Sequence, residues 1–331
     1  MASIKDVAAL AGVSVGTISN VLNNPTRVSP TTIAKVHGAI DKLGFVRNDA
    51  ARQLRAGHSR SIGVIVLDVS NPFFTDLARG VEDNAVAHGL TVLLGNSAED
   101  PEREAAYLEL FEEQRVKGVL ISPIGRIEHR LGQLKALGIP VVLVDRSSAS
   151  NAFSSVSVDD TAGGAIAIRH LLLTGKRKIG FVGGPVAMRQ VDDRLAGARQ
   201  ALLPYPDAHL EVFATSALTV AEGQRVGELL LKLAPEKRPD ALFAANDLVA
   251  VGLLQALVMG DSIRVPEDIA IIGYDDISFA RTAFVPITSV RQPSHLLGKT
   301  ALSILIEEAK NPSLAPRQIV FQPELVIRQS A

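Results

Sequence analysis

The sequence of 331 residues contains no cysteine. This absence excludes a disulfide framework, a thiolate metal site and a cysteine nucleophile, and it suits a protein of the reducing cytoplasm. The sequence also has no apolar leader at its N-terminus and no uninterrupted apolar run of about 18 residues, so we expect neither a secretion signal nor a membrane span.

Signatures of several enzyme classes are missing as well. The segment TGKRKIG has Arg177 where a phosphate-binding loop needs serine or threonine, and H-E-x-x-H does not occur. The seven histidines are scattered and lack the spacing of metal ligands. Acids that are adjacent in sequence, such as Asp192 and Asp193, do not define the separated pair of a glycosidase. We therefore expect no catalytic residues, no metal and no cofactor.

Charge is distributed unevenly along the chain, although the formal net charge is only −1. Residues 1–60 contain eight lysines and arginines but three acids, a net charge of +5, whereas the remainder carries −6. A small basic head on an acidic body favours a polyanionic partner. A basic segment is often only a solvated surface, so this interpretation depends on how the head folds.

The segment DVAALAGVSVGTISNVLN, residues 6–23, has the pattern of two short helices separated by a glycine turn. Ser3 and Asp6 form a start signal for the first helix, Gly12 ends it, and Ser14 starts the second. Apolar residues recur at helical spacing in both. An ordinary helical hairpin in a core gives the same pattern, but beside the basic charge it favours a helix-turn-helix, whose second helix enters the DNA major groove.

A third helix is predicted to begin at Ser29 and end at Gly44. Residues 47–61, RNDAARQLRAGHSRS, then contain a short helix that Asn48 can cap and that bears the exposed apolar residue Leu54. This segment is either a plain interdomain linker or a helix that folds only when docked. In the second case Leu54 would wedge between base steps of a minor groove.

From Ser61 onwards the pattern changes to near-continuous apolar runs rich in valine and isoleucine. These runs are SIGVIVLDVS, LTVLLGNS, VKGVLISP, IPVVLVDR, KIGFVGGP, DALFAAND and IAIIGYDD. Helical stretches separate most of them, which is typical of buried parallel strands in βαβ units. The chain is long enough for two or three domains, so we expect an α/β body behind the helical head.

Ligands of parallel sheets bind at the carboxyl ends of the strands. Those ends are rich in polar and aromatic residues: Asp68–Phe74, Asn96, Ser122-Pro123, Asp145-Arg146, Asp159-Asp160, Gly183–Arg194, Asn246-Asp247 and Tyr274–Asp276. Carboxylates and amides hydrogen-bond to hydroxyls, and aromatic faces cover apolar C–H surface, so this set favours a polyol or sugar site. Some of these residues are expected to be helix caps instead, Asn71 among them.

Four segments, in the expected order, resemble the LacI/GalR family of bacterial transcription regulators over essentially the whole chain. IKDVAALAGVSVGTISNVLN resembles the family's helix-turn-helix, NDAARQLRAG its hinge helix, DVSNPFF the first loop of its effector domain, and VPEDIAIIGYDDISFARTAFVPITSVRQP its C-terminal block. The resemblance implies an all-α helix-turn-helix head plus an α/β periplasmic-binding-protein-like core of two doubly wound parallel-sheet subdomains, joined by three crossover strands.

The family organisation also implies domain boundaries. The helix-turn-helix DNA-binding domain would occupy residues 1–46, the hinge helix and linker 47–60, and the effector-binding and dimerisation domain 61–331. Within the last, subdomain 1 would take about 61–160 and 291–323, and subdomain 2 about 161–290 and 324–331.

The resemblance assigns two sets of side chains to DNA. The recognition helix would read bases with Val15, Gly16 and Asn20, and it would contact phosphates with Ser14, Thr17 and Ser19. The hinge helix would contribute Asn48, Ala51, Leu54 and Arg55, with Leu54 opening a central CpG step. Because Gly16 has no side chain, one base is expected to be read less directly than in relatives with glutamine or threonine there.

The resemblance also assigns an effector site between the two subdomains. Its aromatic wall would be Phe73 and Phe74, and its polar residues Arg146, Asp160, Gln190, Arg194, Asn246, Asp247 and Asp275. Carboxylates that face the site favour a neutral sugar or cyclitol. Leu218 falls where a second aromatic residue would face the first wall, which disfavours a purine.

The sequence therefore predicts a cytoplasmic transcriptional regulator, most simply a repressor, that a sugar or polyol controls allosterically. Its predicted partners are a pseudo-palindromic operator in double-stranded DNA, the small-molecule effector and a second copy in a homodimer. The absence of a terminal leucine heptad disfavours a tetramer. A purine- or nucleoside-responsive regulator is the alternative, and a sugar-active enzyme or transport binding protein is opposed by the basic head and the missing signal peptide.

Overall fold

The computed structural model describes residues 2–45, 59–125, 127–148, 152–185, 188–259 and 263–331. The chain divides into two compact units, one that ends at Ser59 and one that runs from Arg60 to Ala331.

Three helices build the N-terminal unit: α1 Ile4–Ala11, α2 Val15–Asn23 and α3 Pro30–Leu43. A 3₁₀ turn at Pro25–Arg27 lies between the last two. Each helix begins where the sequence predicted, because the hydroxyl of a serine N-cap accepts a backbone N–H of the first turn.

Both predicted glycine ends are confirmed. Gly12 and Gly44 end α1 and α3 with φ of +66° and +56°, a left-handed conformation that favours glycine. The helices enclose a small core in which Val7, Ile18 and Val36 are completely buried. Burial of each such side chain contributes roughly 1.5–3 kcal/mol, so a few residues hold this unit together.

The larger unit contains two six-stranded sheets. Its strands are β1 Ser61–Val66, β2 Thr91–Asn96, β3 Val119–Ile121, β4 Val141–Val144, β5 Ser154–Val158, β6 Lys178–Gly183, β7 His209–Ala214, β8 Ala241–Ala244, β9 Ala270–Asp275, β10 Thr288–Arg291, β11 Gln318–Phe321 and β12 Glu324–Val326.

Sheet A has the strand order β11-β5-β4-β3-β1-β2, and sheet B has the order β12-β10-β9-β8-β6-β7. The pairs are parallel except for β10 with β12, which run antiparallel with Val290 opposite Leu325. The inner strands β3, β4, β8 and β9 are buried along their whole length. Helices therefore cover both faces of each sheet, as the apolar runs predicted.

The helices of this unit are α4 Pro72–Ala87, α5 Pro101–Glu113, α6 Glu128–Ala136, α7 Asp160–Leu173, α8 Arg189–Leu202, α9 Val220–Lys232, α10 Asp247–Met259, α11 Ser278–Thr282 and α12 Ser294–Lys310. Helices α4 and α12 pack on one face of sheet A and α5 and α6 on the other. Helices α7 and α8 cover one face of sheet B, and α9 and α10 cover the opposite face.

The chain passes between the sheets three times: after β5, after β10 and after β11. We call sheet A with its helices lobe A and sheet B with its helices lobe B. Because both sheets are mainly parallel, strand ends that carry polar residues meet where the lobes face each other, and this position is where a ligand of such sheets binds.

Candidate functional site

The first candidate site is the outer face of α2. Val15 is 41% exposed, Gly16 and Asn20 are exposed, and the inward residues Ile18 and Val21 are buried. The face therefore presents the two methyl groups of Val15, the backbone of Gly16 and the side-chain amide of Asn20. The methyl groups suit contact with a thymine methyl, and the amide suits the hydrogen-bonding edge of a base.

Hydroxyl groups lie at the start of the same helix. The Ser14 Oγ accepts the Thr17 N–H at 3.1 Å and lies 3.0 Å from the Thr17 Oγ1. Ser14 is exposed, whereas Thr17 and Ser19 are half-buried. Hydroxyls at a helix N-terminus are common phosphate contacts in DNA complexes. The structure thus brings all six predicted residues of the recognition helix to one short segment.

The four hinge residues of the predicted DNA-binding set, Asn48, Ala51, Leu54 and Arg55, lie outside the described residues. Their assignment to a minor groove remains a prediction.

The second candidate site is a cleft of about 260 Å³ between the lobes. Lobe A contributes the β1–α4 segment with Phe73 and Phe74, and lobe B contributes residues from α8 and from the ends of β8 and β9. The complete lining is Leu67, Asp68, Asn71, Phe73, Phe74, Ala98, Glu99, Asp145, Met188, Gln190, Arg194, Ala217, Leu218, Thr219, Asn246, Asp275 and Gln292. The two phenylalanine rings contact each other edge to face, with centroids 5.0 Å apart.

Two hydrogen-bonded contacts join the lobes across this cleft. The Gln190 Nε2 donates to both the carbonyl oxygen and the carboxylate of Asp145 at 2.9 Å. The Asn71 Nδ2 donates to Asp275 at 3.2 Å, while its Oδ1 accepts the Phe73 N–H and caps α4. Asn71 is therefore the predicted helix cap and a cleft residue at once.

A buried cation, Arg194, forms the floor of the cleft. Its Nε donates to Asp160 at 2.8 Å, one Nη donates to the Ala245 carbonyl at 2.7 Å, and Asp275 lies 3.9 Å from the other Nη. The guanidinium stacks on the Tyr274 ring at 3.7 Å from its centroid. Burial alone would lower the pKa of Arg194, but the neighbouring carboxylates more than offset it and raise that pKa. Arg194 is thus a fixed cation with its charge already neutralised.

Two cleft carboxyl groups are held in an unusual environment. Burial, reinforced by the Asp160 carboxylate, raises the pKa of Asp145 to about 8. Burial also raises the pKa of Asp275, although Arg194 opposes the shift. Asp145 and Asp275 have φ of +60° and +102° at the ends of β4 and β9. Such backbone strain concentrates at functional sites.

The structure places six of the nine predicted effector residues on the cleft wall: Phe73, Phe74, Gln190, Arg194, Asn246 and Asp275. The other three, Arg146, Asp160 and Asp247, are not among the described residues that line it. Asp160 lies behind Arg194 and orients it. Arg146 donates to the carbonyls of Pro123 and Gly125 at 3.2 and 3.0 Å.

Asp247 lies below the cleft, completely buried. It accepts the Ser289 hydroxyl at 2.7 Å and the Ile277 N–H at 2.8 Å, and burial raises its pKa well above the usual range. A Cβ on Gly273 would lie 2.0 Å from the Asp247 Oδ1, so only glycine leaves room for this carboxyl group. Asp247 therefore fixes the β9–α11 and β10 segments that carry cleft residues.

The resemblance did not assign several residues that line the cleft to the effector site, among them Glu99, Asp145 and Gln292. Asp145 follows an apolar run and thus carried the same strand-end signal as the chosen residues. Gln292 follows the short strand β10, which has no long apolar run, and its Nε2 donates to Asp275 at 2.7 Å. The structure alone brings it to the site.

Within the described ranges, no group of three or more acidic or histidine side chains could hold a metal ion. Among the helices that the structure describes, none is long and apolar enough to cross a membrane.

Two family models match parts of this chain. The family of bacterial regulatory proteins of the lacI type matches residues 3–48, and the periplasmic binding protein-like domain matches residues 168–331. The HTH-type transcriptional repressor PurR of Vibrio campbellii is 34% identical over 336 residues, covering 100% of this chain and 98% of its own. PurR of Aliivibrio fischeri strain MJ11 is 33% identical over 335 residues, with the same coverage.

Solved structures of similar fold include regulators with bound sugars. A complex of the transcriptional regulator CelR with cellobiose is 30% identical, with a TM-score of 0.72 and both chains covered completely. A LacI family regulator from Enterococcus faecium with bound ribose is 29% identical, with a TM-score of 0.74, over 82% of this chain and 98% of its own.

The Lac repressor dimer bound to operator and the anti-inducer ONPF is 25% identical, with a TM-score of 0.83, over 99% of this chain and 98% of its own. Both PurR relatives, at 33–34% identity over almost their whole length, are named transcriptional repressors. The chain therefore belongs to the lacI family of bacterial regulatory proteins and is a DNA-binding transcriptional repressor, not an enzyme.

Proposed function

We propose that the interlobe cleft binds a neutral sugar or polyol, and that this effector controls the affinity of the repressor for its operator. The observation that carries the proposal is the composition of the cleft wall. Carboxyl and amide groups of Asp145, Gln190, Asn246 and Asp275 surround it, beside the aromatic faces of Phe73 and Phe74. Hydroxyls that both donate and accept hydrogen bonds match these groups, and a ring's C–H face matches the aromatic wall.

The charge of the cleft favours a neutral effector. Among the described lining residues, Arg194 is the sole lysine or arginine, and its guanidinium is already committed to Asp160, Ala245 and Asp275. An anionic ligand would therefore find no free cation among the described lining residues. The volume of about 260 Å³ lies below the roughly 300–1,000 Å³ of pockets for drug-sized ligands, which favours a pentose, hexose or cyclitol.

A purine or nucleoside is the second candidate, because curated relatives at 33–34% identity are named PurR. The cleft itself supports it less well. Leu218 lies in the cleft where a second aromatic residue would complete a stacking sandwich around a planar base. Sugar-bound regulators of comparable identity support the first candidate.

The hydrogen bonds across the cleft suggest how binding is transmitted. We propose that lobe A corresponds to subdomain 1, residues 61–160 and 291–323, and lobe B to subdomain 2, residues 161–290 and 324–331. An effector between Asp145 and Gln190 would replace or reinforce the contact that joins them and change the angle between the lobes. Such a ligand shifts DNA affinity only by its differential affinity for the two states, so the two affinities are coupled reciprocally.

We propose that the repressor acts as a cytoplasmic homodimer on a pseudo-palindromic operator, since paired helix-turn-helix units read paired half-sites. An apolar surface on lobe B, which includes the exposed side chains of Met259, Phe279 and Phe284, suits contact with a second copy. Phe284→Asp is expected to give monomers in sedimentation analysis. Leu203→Asp, a control at another highly exposed apolar residue, should leave dimers.

The effector is tested first by thermal unfolding of the full chain against sugars, cyclitols, sugar phosphates and purines. Ligand at 100 times its dissociation constant adds about 2.7 kcal/mol, a readily measured shift. A shift with one sugar, lost in Gln190→Ala but kept in the exposed control Gln200→Ala on the same helix, is expected. The same sugar should change operator affinity in fluorescence anisotropy. A shift with purines alone would overturn the sugar proposal in favour of the second candidate.

A further inference from the structure

A second cavity, of about 580 Å³, lies beside the effector cleft between the same two lobes. Lobe A lines it with the first two turns of α4, from Pro72 to Arg79, and lobe B with the segment from Asp275 to Arg281. Ser294 and Arg328 complete the wall. Phe73 and Asp275 line both spaces, so one thin wall separates the cavity from the effector cleft.

Three acids line this cavity, and all of them are engaged within the protein. Asp76 accepts the hydroxyl of Ser294. Asp275 accepts hydrogen bonds from Asn71 and Gln292 and faces Arg194. Asp276 accepts from the guanidinium groups of both Arg291 and Arg328, so two cations surround its single charge.

Two arginines on opposite sides of the cavity are uncommitted. Arg79 on α4 and Arg281 on α11 are exposed, and neither guanidinium has an acceptor among the residues that the structure describes. The two groups belong to different lobes. The Ser278 hydroxyl lies on the lobe B wall, whereas the Thr75 hydroxyl on the lobe A wall already donates to the Pro72 carbonyl at 3.0 Å. Among the described lining residues, Arg79 and Arg281 therefore supply unused guanidinium donors to the cavity.

We propose that this cavity binds a small phosphorylated molecule, with Arg79 and Arg281 as its cationic ligands. A guanidinium presents planar, paired N–H donors that match two phosphate oxygens, and it binds phosphate more strongly than a neutral donor does. The first turn of α4 adds partial positive charge on the lobe A wall. The effector cleft lacks an uncommitted cation among its described lining residues, so the two cavities would take different ligands, a neutral one in the cleft and an anionic one here.

The position of the cavity gives such a ligand a regulatory consequence. A phosphate held by Arg79 of lobe A and Arg281 of lobe B would resist any change in the angle between the lobes. Because Phe73 and Asp275 belong to both walls, occupancy of one cavity would alter the other, and the coupling would be reciprocal. The binding site itself does not depend on the nature of the effector in the first cleft.

The test is calorimetric titration of the full chain with inorganic pyrophosphate and with inorganic phosphate at constant ionic strength. The variants are Arg79→Gln and Arg281→Gln, with Arg169→Gln as the matched control at an exposed helical arginine outside both cavities. Each cavity variant should raise the pyrophosphate Kd at least tenfold, about 1.4 kcal/mol. Arg169→Gln should leave the Kd unchanged. Arg79→Lys should give an intermediate value, because it keeps the charge but loses the paired geometry.

The basic head is a competing anion site, and it is unchanged in all of these variants. Binding of equal strength in every variant would therefore assign the anion to the head and overturn the proposal. Absence of measurable heat with both probes in the parent protein, together with an unchanged melting temperature, would overturn it as well.

Discussion

Replacing Asp160 by asparagine separates two roles for this side chain, that of an effector ligand and that of a residue that positions Arg194. The structure favours the second role, because Asp160 is buried behind the guanidinium and accepts its Nε–H at 2.8 Å. Asparagine keeps the size and one oxygen acceptor but removes the charge. The guanidinium would then remain buried with the Ala245 carbonyl at 2.7 Å and Asp275 at 3.9 Å as its nearest partners.

The expected cost follows from the geometry of this ion pair. Unit charges 2.8 Å apart attract by about 6 kcal/mol at an effective dielectric constant of about 20. Desolvation of Asp160, which the variant relieves, offsets part of this attraction. Loss of one partner from a buried pair destabilises proteins by about 3–5 kcal/mol. We therefore expect Asp160→Asn to lower the free energy of unfolding of the two-lobed body by about 3 kcal/mol, with Asp275 limiting the loss.

Urea unfolding of the full chain, followed by circular dichroism, measures this cost. Asp192→Asn, an exposed position on the same helix as Arg194, is the matched control and should change stability by less than about 0.5 kcal/mol. Equal stability of the two variants, with sugar affinity lost in Asp160→Asn alone, would refute the positioning role and return Asp160 to the set of direct ligands.

Three further predictions concern other parts of the molecule. Burial raises the pKa of Asp145 from 3.8 to about 8. Between pH 3.8 and about pH 8 the folded state therefore binds more protons than the unfolded state. The free energy of unfolding should then fall by up to about 1.4 kcal/mol per pH unit as the pH rises through this range. Asp145→Asn should remove this component from urea unfolding measured between pH 5 and 8. Gly273→Ala would place a Cβ 2.0 Å from the Asp247 Oδ1 and should cost about 1–3 kcal/mol in the same assay; an unchanged stability would show that the β9 segment relaxes freely. A Cβ on Gly16 would meet only the Ser14 Oγ, at 3.6 Å, so the Gly16→Thr variant should fold normally. Its new side chain should add about 1–3 kcal/mol of discrimination at one operator base pair, which anisotropy on single-base operator variants measures. An unchanged base preference would remove Gly16 from the base-reading set.

The N-terminal unit was predictable because its signals are local. A serine that caps a helix and a glycine that ends one act within a few residues, so Ser3, Ser14 and Gly12 mark boundaries without knowledge of the rest of the fold. The inner face of α2 follows from helical spacing for the same reason. Each of these predictions depended on one turn of backbone, and the structure agrees with each.

The strands without long apolar runs could not be read in the same way. β7, β11 and β12 lie at sheet edges, and each of their residues is exposed or only half-buried. β5 reads SSVSV yet is buried throughout, because the Ser154 and Ser155 hydroxyls donate to Glu308 and Gln318. Hydrogen-bond partners more than 150 residues away make a polar strand stable in a core. No pattern within the strand contains that information.

The sequence by itself determined the helical head, the α/β class of the body and the strand ends at which a ligand would bind, because capping, helical period and apolar runs are local properties. The division of the body into two lobes was implied only by the resemblance to the family. The tertiary structure decided which polar residues face the cleft. Asp160 and Asp247 end up behind it, whereas Asp145 and Gln292 line it. A carboxyl group at a strand end faces the ligand space unless a neighbouring segment supplies a hydrogen-bond donor for it. Asp160 is held by the Arg194 guanidinium and Asp247 by the Ile277 N–H. That choice depends on contacts between segments far apart in the chain, so it exists only once both lobes have packed.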